Sequence, residues 1–369
     1  MVALHSRPPQ PTGVISELAL ARAQRNTVLI IDDLFSSRLL IAEIVRQIDP
    51  KLNLELFDTP SRALEYARNN RVDMVLTDFK LPEFDGIELV KQIRGLGHCV
   101  DIPIVVITVV DDRQIRYHAL ESGATDFLIK PLDEHETRAR CANLLELRRH
   151  KIVLSDQARV LQYQVDKSVA EIHERELETL SKLAKAGEFR DKTTGNHLVR
   201  MARYSGLTAQ HLGLGAETVH VIEVAAPMHD IGKIGIPDSV LIKEGPLSPA
   251  EQQIMRTHPR IGYDILKGSP SKYLSMGSII ALGHHEKYDG TGYPNGLHGD
   301  DIPIVARVVA VADVFDALVS ERPYKHAWPI DEGFDYLSSQ RGKHFDPKCV
   351  DAFLADRTKV EAIYSELRD

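Results

Sequence analysis

From Thr27 onward the chain alternates short, continuous apolar runs with amphipathic stretches. The runs are Val28–Ile31, Met74–Thr77, Ile104–Thr108 and Phe127–Ile129. Each has the length of a strand and lacks an inside–outside alternation, as expected for strands buried on both faces. Between them, Ser37–Ile48, Pro60–Arg68 and Gly86–Arg94 repeat apolar residues at helical spacing. Strands alternating with helices predict a doubly wound α/β domain with a parallel sheet. Ligands bind such sheets at the carboxyl ends of the strands. Asp32, Asp33, Asp78, Thr108 and Lys130 all fall there.

The pattern then changes. No Gly or Pro occurs from 133 to 186, and Leu154, Ala158, Leu161, Val165, Val169 and Ile172 recur in steps of three and four. This predicts a long helix with a partial coiled-coil seam, suited to dimerisation. From Gly187 the chain is predicted to be all-helical, with breaks at Gly213, Pro237, Gly245-Pro246, Pro259, Pro270, 290–303, Pro323 and Pro347. The strongest helical periodicity there is Ile304–Val319. Before Thr27, Pro8, Pro9 and Pro11 suggest a flexible arm, with a short helix near Ile15–Ala23. The expected organisation is an arm over 1–26, an α/β domain over 27–145, a helical linker over 146–186 and an all-α domain over 187–369.

Composition narrows the function classes. A chain of 369 residues, 43% hydrophobic and 27% charged, can bury more than one core. A net charge of −8 and no basic recognition helix argue against direct DNA binding. Three scattered cysteines, Cys99, Cys141 and Cys349, predict no disulfide framework and fit a reducing cytoplasm. No run of about 18 apolar residues predicts a membrane span.

Two strings carry the chemistry of the second half. HDIGK, at 229–233, and HHEKYDGTGYP, at 284–294, bring together His, Asp and Lys. His supplies neutral nitrogen to a metal, and Asp supplies charged oxygen that can bridge two cations. On a regular helix His229 and Asp230 would point about 100° apart, so a shared cluster would have to lie between them. Asp313 lies in an apolar helix, where an unpaired carboxylate is costly. His197 follows Thr194-Gly195-Asn196 at a predicted helix start, with Arg200 nearly on the same face. Mixed His and carboxylate ligation suits Fe or Mn more than Zn. In the first half, Asp32, Asp33 and Asp78 form an oxygen-only group suited to Mg2+.

Residues 27–145 resemble the response-regulator receiver family. The resemblance implies Asp78 as phosphoacceptor, Asp32 and Asp33 as Mg2+ holders, Thr108 and Lys130 as phosphoryl contacts, Phe127 as the switching aromatic, and a sensor histidine kinase as partner. Residues 187–369 resemble the HD-GYP subgroup of HD phosphohydrolases. Together the two halves resemble regulators that hydrolyse cyclic di-GMP to pGpG or GMP, including those controlling pathogenicity factors in plant-pathogenic bacteria. That resemblance implies metal ligands at His197, His229, Asp230, His258, His284, His285 and Asp313. It also implies phosphate contacts at Lys233 and Arg322, and a pocket mouth at Gly292, Tyr293 and Pro294 linked to GGDEF-domain partners. Asp289 either protonates the leaving group or caps its loop. Some family members hold a third metal through a carboxylate one turn before the first His. Thr193 occupies that position, and Glu188 and Asp191 are expected to be out of register, so two metals are expected. The alternatives are an adaptor that binds nucleotide or GGDEF proteins with little turnover, and an HD-type hydrolase of another nucleotide.

Overall fold

The computed structural model describes residues 26–109, 113–190, 195–321 and 326–368. The arm before residue 26, the 110–112 segment, Asp191 to Thr194 and Arg322 to Lys325 lie outside the described residues. The chain divides into two compact units, Met1–Val169 and Ala170–Asp369.

The first unit is built on β1 (Thr27–Ile31), β2 (Asn53–Phe57), β3 (Met74–Asp78), β4 (Ile104–Thr108) and β5 (Asp126–Ile129). All pairings are parallel, in the order β2-β1-β3-β4-β5. Helices α1 (Phe35–Arg46), α2 (Pro60–Asn69), α3 (Gly86–Arg94) and α4 (Arg113–Glu121) connect them. Side chains alternate across the pleat. Leu29, Ile31, Val75, Ile104 and Val106 therefore join one core, and Val28, Ile30, Leu76, Val105 and Ile107 join the other. Both faces are covered, which is why these runs read as uninterrupted apolar segments. The edge strand β2 escaped sequence reading: in NLELF only Phe57 is fully buried, and Glu55 interrupts the run.

Helix α5 (Glu134–Glu188) is a single 55-residue element. It begins within the expected receiver span and takes in the whole expected 146–186 linker. Leu154, Leu161, Val165, Val169 and Ile172 are all exposed along it.

The second unit contains α6 (Gly195–His211), α7 (Ala216–Ala225), α8 (Asp238–Leu241), α9 (Pro249–Met255), α10 (His258–Leu266), α11 (Lys272–Gly283), α12 (Ile304–Val319), α13 (Ile330–Ser339), α14 (Pro347–Leu354) and α15 (Arg357–Glu366). Its described residues form isolated bridges but no strand. Pro259 and Pro347 begin helices rather than break them, because the missing N–H is spared in the first turn. Helix α12 is buried on nearly every side, so it is apolar around much of its circumference. Phe315 on α12 packs against Tyr204, Phe334 and Phe353 with ring centroids 5.6, 5.1 and 4.9 Å apart. This core holds Asp316 of α12 against α6, where it meets His197 and Arg200, while Asp313 faces His229.

Candidate metal centre and receiver pocket

In the first unit, the order 2-1-3-4-5 reverses direction between β1 and β3, where such sheets open a crevice. Asp32 follows β1, Asp78 ends β3, Thr108 ends β4 and Lys130 follows β5. The Lys130 Nζ sits 2.8 Å from Asp32 Oδ2 and 2.8 Å from Asp78 Oδ1. Asp32 Oδ1 accepts the Leu34 N–H at 2.9 Å. Burial pushes the Asp78 carboxyl up; Lys130 opposes that push, and the nearby Asp32 adds to it. Asp33 is exposed beside the pair, and Thr108 is buried. Phe127 is half-buried on β5, with the Arg116 guanidinium 5.3 Å from its ring centroid.

In the second unit, ligand-type side chains converge from six segments. Glu188 ends α5, His197 lies in the first turn of α6, and His229-Asp230 sits between two short 3-10 turns, 226–228 and 231–235. His258 opens α10, His284 caps α11 with His285 next, and Asp313 comes from α12. The expected regular helix at His229-Asp230 is not present. Asp230 has φ −99° and ψ 8°, and this break lets neighbouring side chains face one centre.

Two groups result. Asp230, His258, His284 and His285 bring one ligand atom each within 4.8 Å of one another, and so do Glu188, His197 and His229. Asp230 spans them. Its Oδ1 lies 3.1 Å from His258 Nε2 and 3.5 Å from His284 Nε2, while its Oδ2 lies 3.2 Å from His229 Nε2. Asp313 Oδ1 stands 3.8 Å from His229 Nε2. Lys233 Nζ reaches Asp230 Oδ2 at 2.8 Å.

The imidazoles are oriented from behind. His229, His258 and His284 each direct Nδ1 at the backbone carbonyl three residues back, of Ala226, Met255 and Ala281, at 3.0, 2.8 and 3.0 Å. A carbonyl only accepts, so Nδ1 carries a proton and Nε2 is the atom that faces the centre. Despite the short ion-pair distances, His229 Nε2 and Asp230 Oδ1 are buried without a hydrogen bond of acceptable geometry. Buried polar atoms left in this state, with nitrogen and carboxylate donors around them, fit divalent metal ions. Burial favours the neutral His229 ring, but Asp230, Asp313 and Glu188 outweigh it and lift the imidazole to about 9. Burial opposes ionisation of Asp230, yet Lys233 and His229 hold its carboxyl well below the usual range.

The spacing of HDIGK has a steric cause. A Cβ on Gly232 would lie 1.9 Å from the His258 carbonyl oxygen, so only glycine lets α10 carry His258 up to Asp230. In the second string, a Cβ on Gly292 would lie 2.2 Å from the Lys287 nitrogen. The loop folds back tightly, and the buried Glu286 carboxylate accepts the Asn295 and Leu297 N–H groups at 2.7 and 3.0 Å. Tyr293 stacks on His285 with centroids 4.8 Å apart, and the Arg256 guanidinium lies 5.1 Å from the Tyr293 ring. Asp289 is exposed and outside both groups. Its Oδ1 accepts the Thr291 N–H at 2.9 Å and hydroxyl at 2.6 Å, and these bonds hold its carboxyl low, which favours the loop-capping alternative.

Sequence reasoning set Glu188 aside on register, but the structure brings it to His197 and His229, with Oε1 3.5 Å from His197 Nε2. Helical spacing counted back from His197 does not hold across the start of its helix. In fact α5 ends at Glu188 and α6 restarts at Gly195. Asp316 was also missed, although it sits one helical turn after Asp313. Arg322, Asp191 and Thr193 lie outside the described residues.

Residues 28–142 match the response regulator receiver domain, and residues 167–349 match the HD domain. The cyclic di-GMP phosphodiesterase response regulator RpfG of Xanthomonas campestris pv. campestris (strain 8004) is 49% identical over 336 residues, 91% of this chain and 89% of that protein. A cyclic di-GMP phosphodiesterase of Thermotoga maritima is 37% identical over 93% of this chain and 94% of its own length. The 3'3'-cGAMP-specific phosphodiesterase 2 of Vibrio cholerae is 42% identical over 201 residues, 54% of this chain and 38% of that protein. The chain belongs to the family of response regulators that join a receiver domain to an HD domain.

Proposed function

We propose that this chain is a phosphorylation-controlled response regulator that hydrolyses cyclic di-GMP to pGpG, GMP or both. The observation that carries the reading is Asp230, whose two oxygens face two separate groups of imidazoles. One metal would be held by His197, His229, Asp313 and Asp230 Oδ2, with Glu188 supplying a further carboxylate. The other would be held by His258, His284, His285 and Asp230 Oδ1. The donor set favours Fe or Mn over Zn. When bound, two such ions would supply Lewis acidity at the scissile phosphodiester. Lys233 and Arg322 would contact substrate phosphate and stabilise its developing charge. Gly292, Tyr293 and Pro294 would shape the pocket mouth, and Asp289 would hold that loop.

In the receiver, Asp78 would accept a phosphoryl group from a histidine kinase. Asp32 and Asp33 would hold Mg2+, and Thr108 and Lys130 would contact the phosphoryl oxygens. Phosphorylation adds charge at the carboxyl end of the central strand, and α5 carries the change toward the HD domain. The exposed apolar row on α5 supports a homodimer through that helix, and the 284–294 loop is the surface for GGDEF-domain partners. Three buried free cysteines suit a reducing bacterial cytoplasm, and no described helix is long and apolar enough to cross a membrane.

The test is a substrate panel on metal-loaded protein: cyclic di-GMP, 3'3'-cGAMP and linear pGpG. Fastest cleavage of cyclic di-GMP is expected. Cleavage of 3'3'-cGAMP alone would reassign the substrate, and binding without cleavage would make the domain an adaptor.

A further inference from the structure

Four buried imidazoles face the centre with Nε2, but they are not anchored alike. Three use a backbone carbonyl three residues back. His197 instead sets its Nδ1 2.6 Å from Asp316 Oδ2, a carboxylate 119 residues away on α12. Asp316 is fully buried and is itself gripped on both oxygens. Arg200 Nε donates to Oδ1 at 2.6 Å, and Arg200 Nη2 lies 3.1 Å from Oδ2. The same guanidinium donates to the Ser320 hydroxyl at 2.9 Å and to the Leu367 carbonyl at 2.7 Å. The Ser320 hydroxyl in turn lies 3.3 Å from Asp316 Oδ2.

His197 lies in the first turn of α6. The other three rings each bond to a carbonyl one turn upstream; the positions one turn upstream of His197 lie outside the described residues, and among the described residues its Nδ1 is anchored by a side chain from another helix. A carboxylate does this more firmly than a carbonyl, because hydrogen bonds to an ionised acceptor are shorter and stronger. An ionised carboxylate only accepts, so it holds the proton on Nδ1 and leaves Nε2 free to ligate. A buried carboxylate also needs a countercharge, and Arg200, three residues after His197 on the same helix, provides it in forked geometry.

We infer that Asp316, clamped by Arg200, is a positioning residue that builds the His197 side of the metal centre, whereas the Asp230-His258-His284-His285 side assembles without it. This rests on the two-metal reading above. The chain's last helix joins the device through Leu367, so the carbonyl end of α15 helps hold a ligand of the centre.

The test is Mn2+ uptake by the full-length protein, with wild type and Asp316→Asn compared by equilibrium dialysis and melting of the metal-free forms recorded beside them. Asparagine keeps the size but loses the charge that pairs with Arg200, and its amide can donate where the carboxylate only accepts. The wild type is expected to bind two Mn2+. The variant is expected to bind one unchanged and the other about 10- to 100-fold more weakly. Two equally tight Mn2+ in a folded Asp316→Asn variant, or equal weakening of both, would overturn the inference while leaving the two-metal reading intact. A wild type that takes up no Mn2+ would instead overturn the two-metal reading and this inference with it. If Asp316→Asn does not fold, Arg200→Lys carries the same comparison, since it keeps the charge and removes the fork. Selective loss at one site is again expected, and no loss would contradict the inference.

Discussion

The receiver pocket and the HD centre both gather carboxylates, but they neutralise them in opposite ways. In the receiver, one lysine at 2.8 Å from both Asp32 and Asp78 offsets the charge, and Asp33 stays exposed at the rim. Such a pocket leaves room beside its resident lysine, which suits the proposed passing cation and phosphoryl group. In the HD centre, Glu188, Asp230 and Asp313 are set among buried imidazoles, each turned by a partner behind it. That arrangement suits an ion held throughout turnover.

The largest expected break in this contrast is Asp230→Asn. The bridging charge is lost from both groups at once, so metal content should collapse and cyclic di-GMP turnover should fall to the detection limit. Phosphorylation of Asp78 should proceed unchanged, as measured by acetyl-phosphate labelling. Retention of two metals would show that Asp230 does not bridge.

Next in size is Lys130→Met, which leaves Asp32 buried without its cation. The receiver should lose about 3 kcal/mol of stability, read by urea unfolding, and saturating Mg2+ should restore part of it. A variant as stable as wild type without Mg2+ would mean the lysine is not the pocket's resident counter-ion.

A third test uses pH. In the metal-free protein His229 is lifted from 6.5 to about 9, so at neutral pH a metal must displace its proton. Metal affinity should therefore rise with pH, by up to about tenfold per unit, and level off above about 9. In the metal-free protein the same elevation contributes stability that is fully present below the unfolded value of 6.5. That contribution is lost as pH rises through about 9. Affinity that does not vary between pH 6 and 9 would contradict this.

How much of this was legible in the sequence follows from where each contact is encoded. The receiver pocket was readable because its residues sit at strand ends, and a parallel sheet brings those ends together whatever the loops do. The central strands were readable because both faces are buried, the edge strand β5 because its run Phe127–Ile129 stays apolar, and β2 was lost because Asn53 and Glu55 interrupt its apolar positions. The seven expected metal ligands came from the two strings and the family resemblance. Glu188 and Asp316 were not visible in that way. Glu188 reaches its partners only because the chain restarts its helix between 188 and 195, and Asp316 matters only because α12 packs on α6. The 3-10 break at Asp230 was hidden too, since nothing in HDIGK marks a departure from regular helix except Gly232, whose reason is the carbonyl of His258.

The smallest expected effect separates two roles for one residue. Asp289→Asn keeps an acceptor for Thr291, so a loop-capping role predicts a change within about 0.5 kcal/mol, roughly twofold in turnover. A loss well beyond that in kcat, with KM unchanged, would return Asp289 to protonation of the leaving group.

The most direct test of the central claim is metal content and cyclic di-GMP turnover measured together, on anaerobically purified protein and on its His229→Ala/Asp230→Ala variant. The account predicts two metals per chain with turnover in the wild type, and loss of both in the variant. Fully metallated wild type without turnover, even with Asp78 phosphorylated, or turnover that survives in the variant, would contradict it.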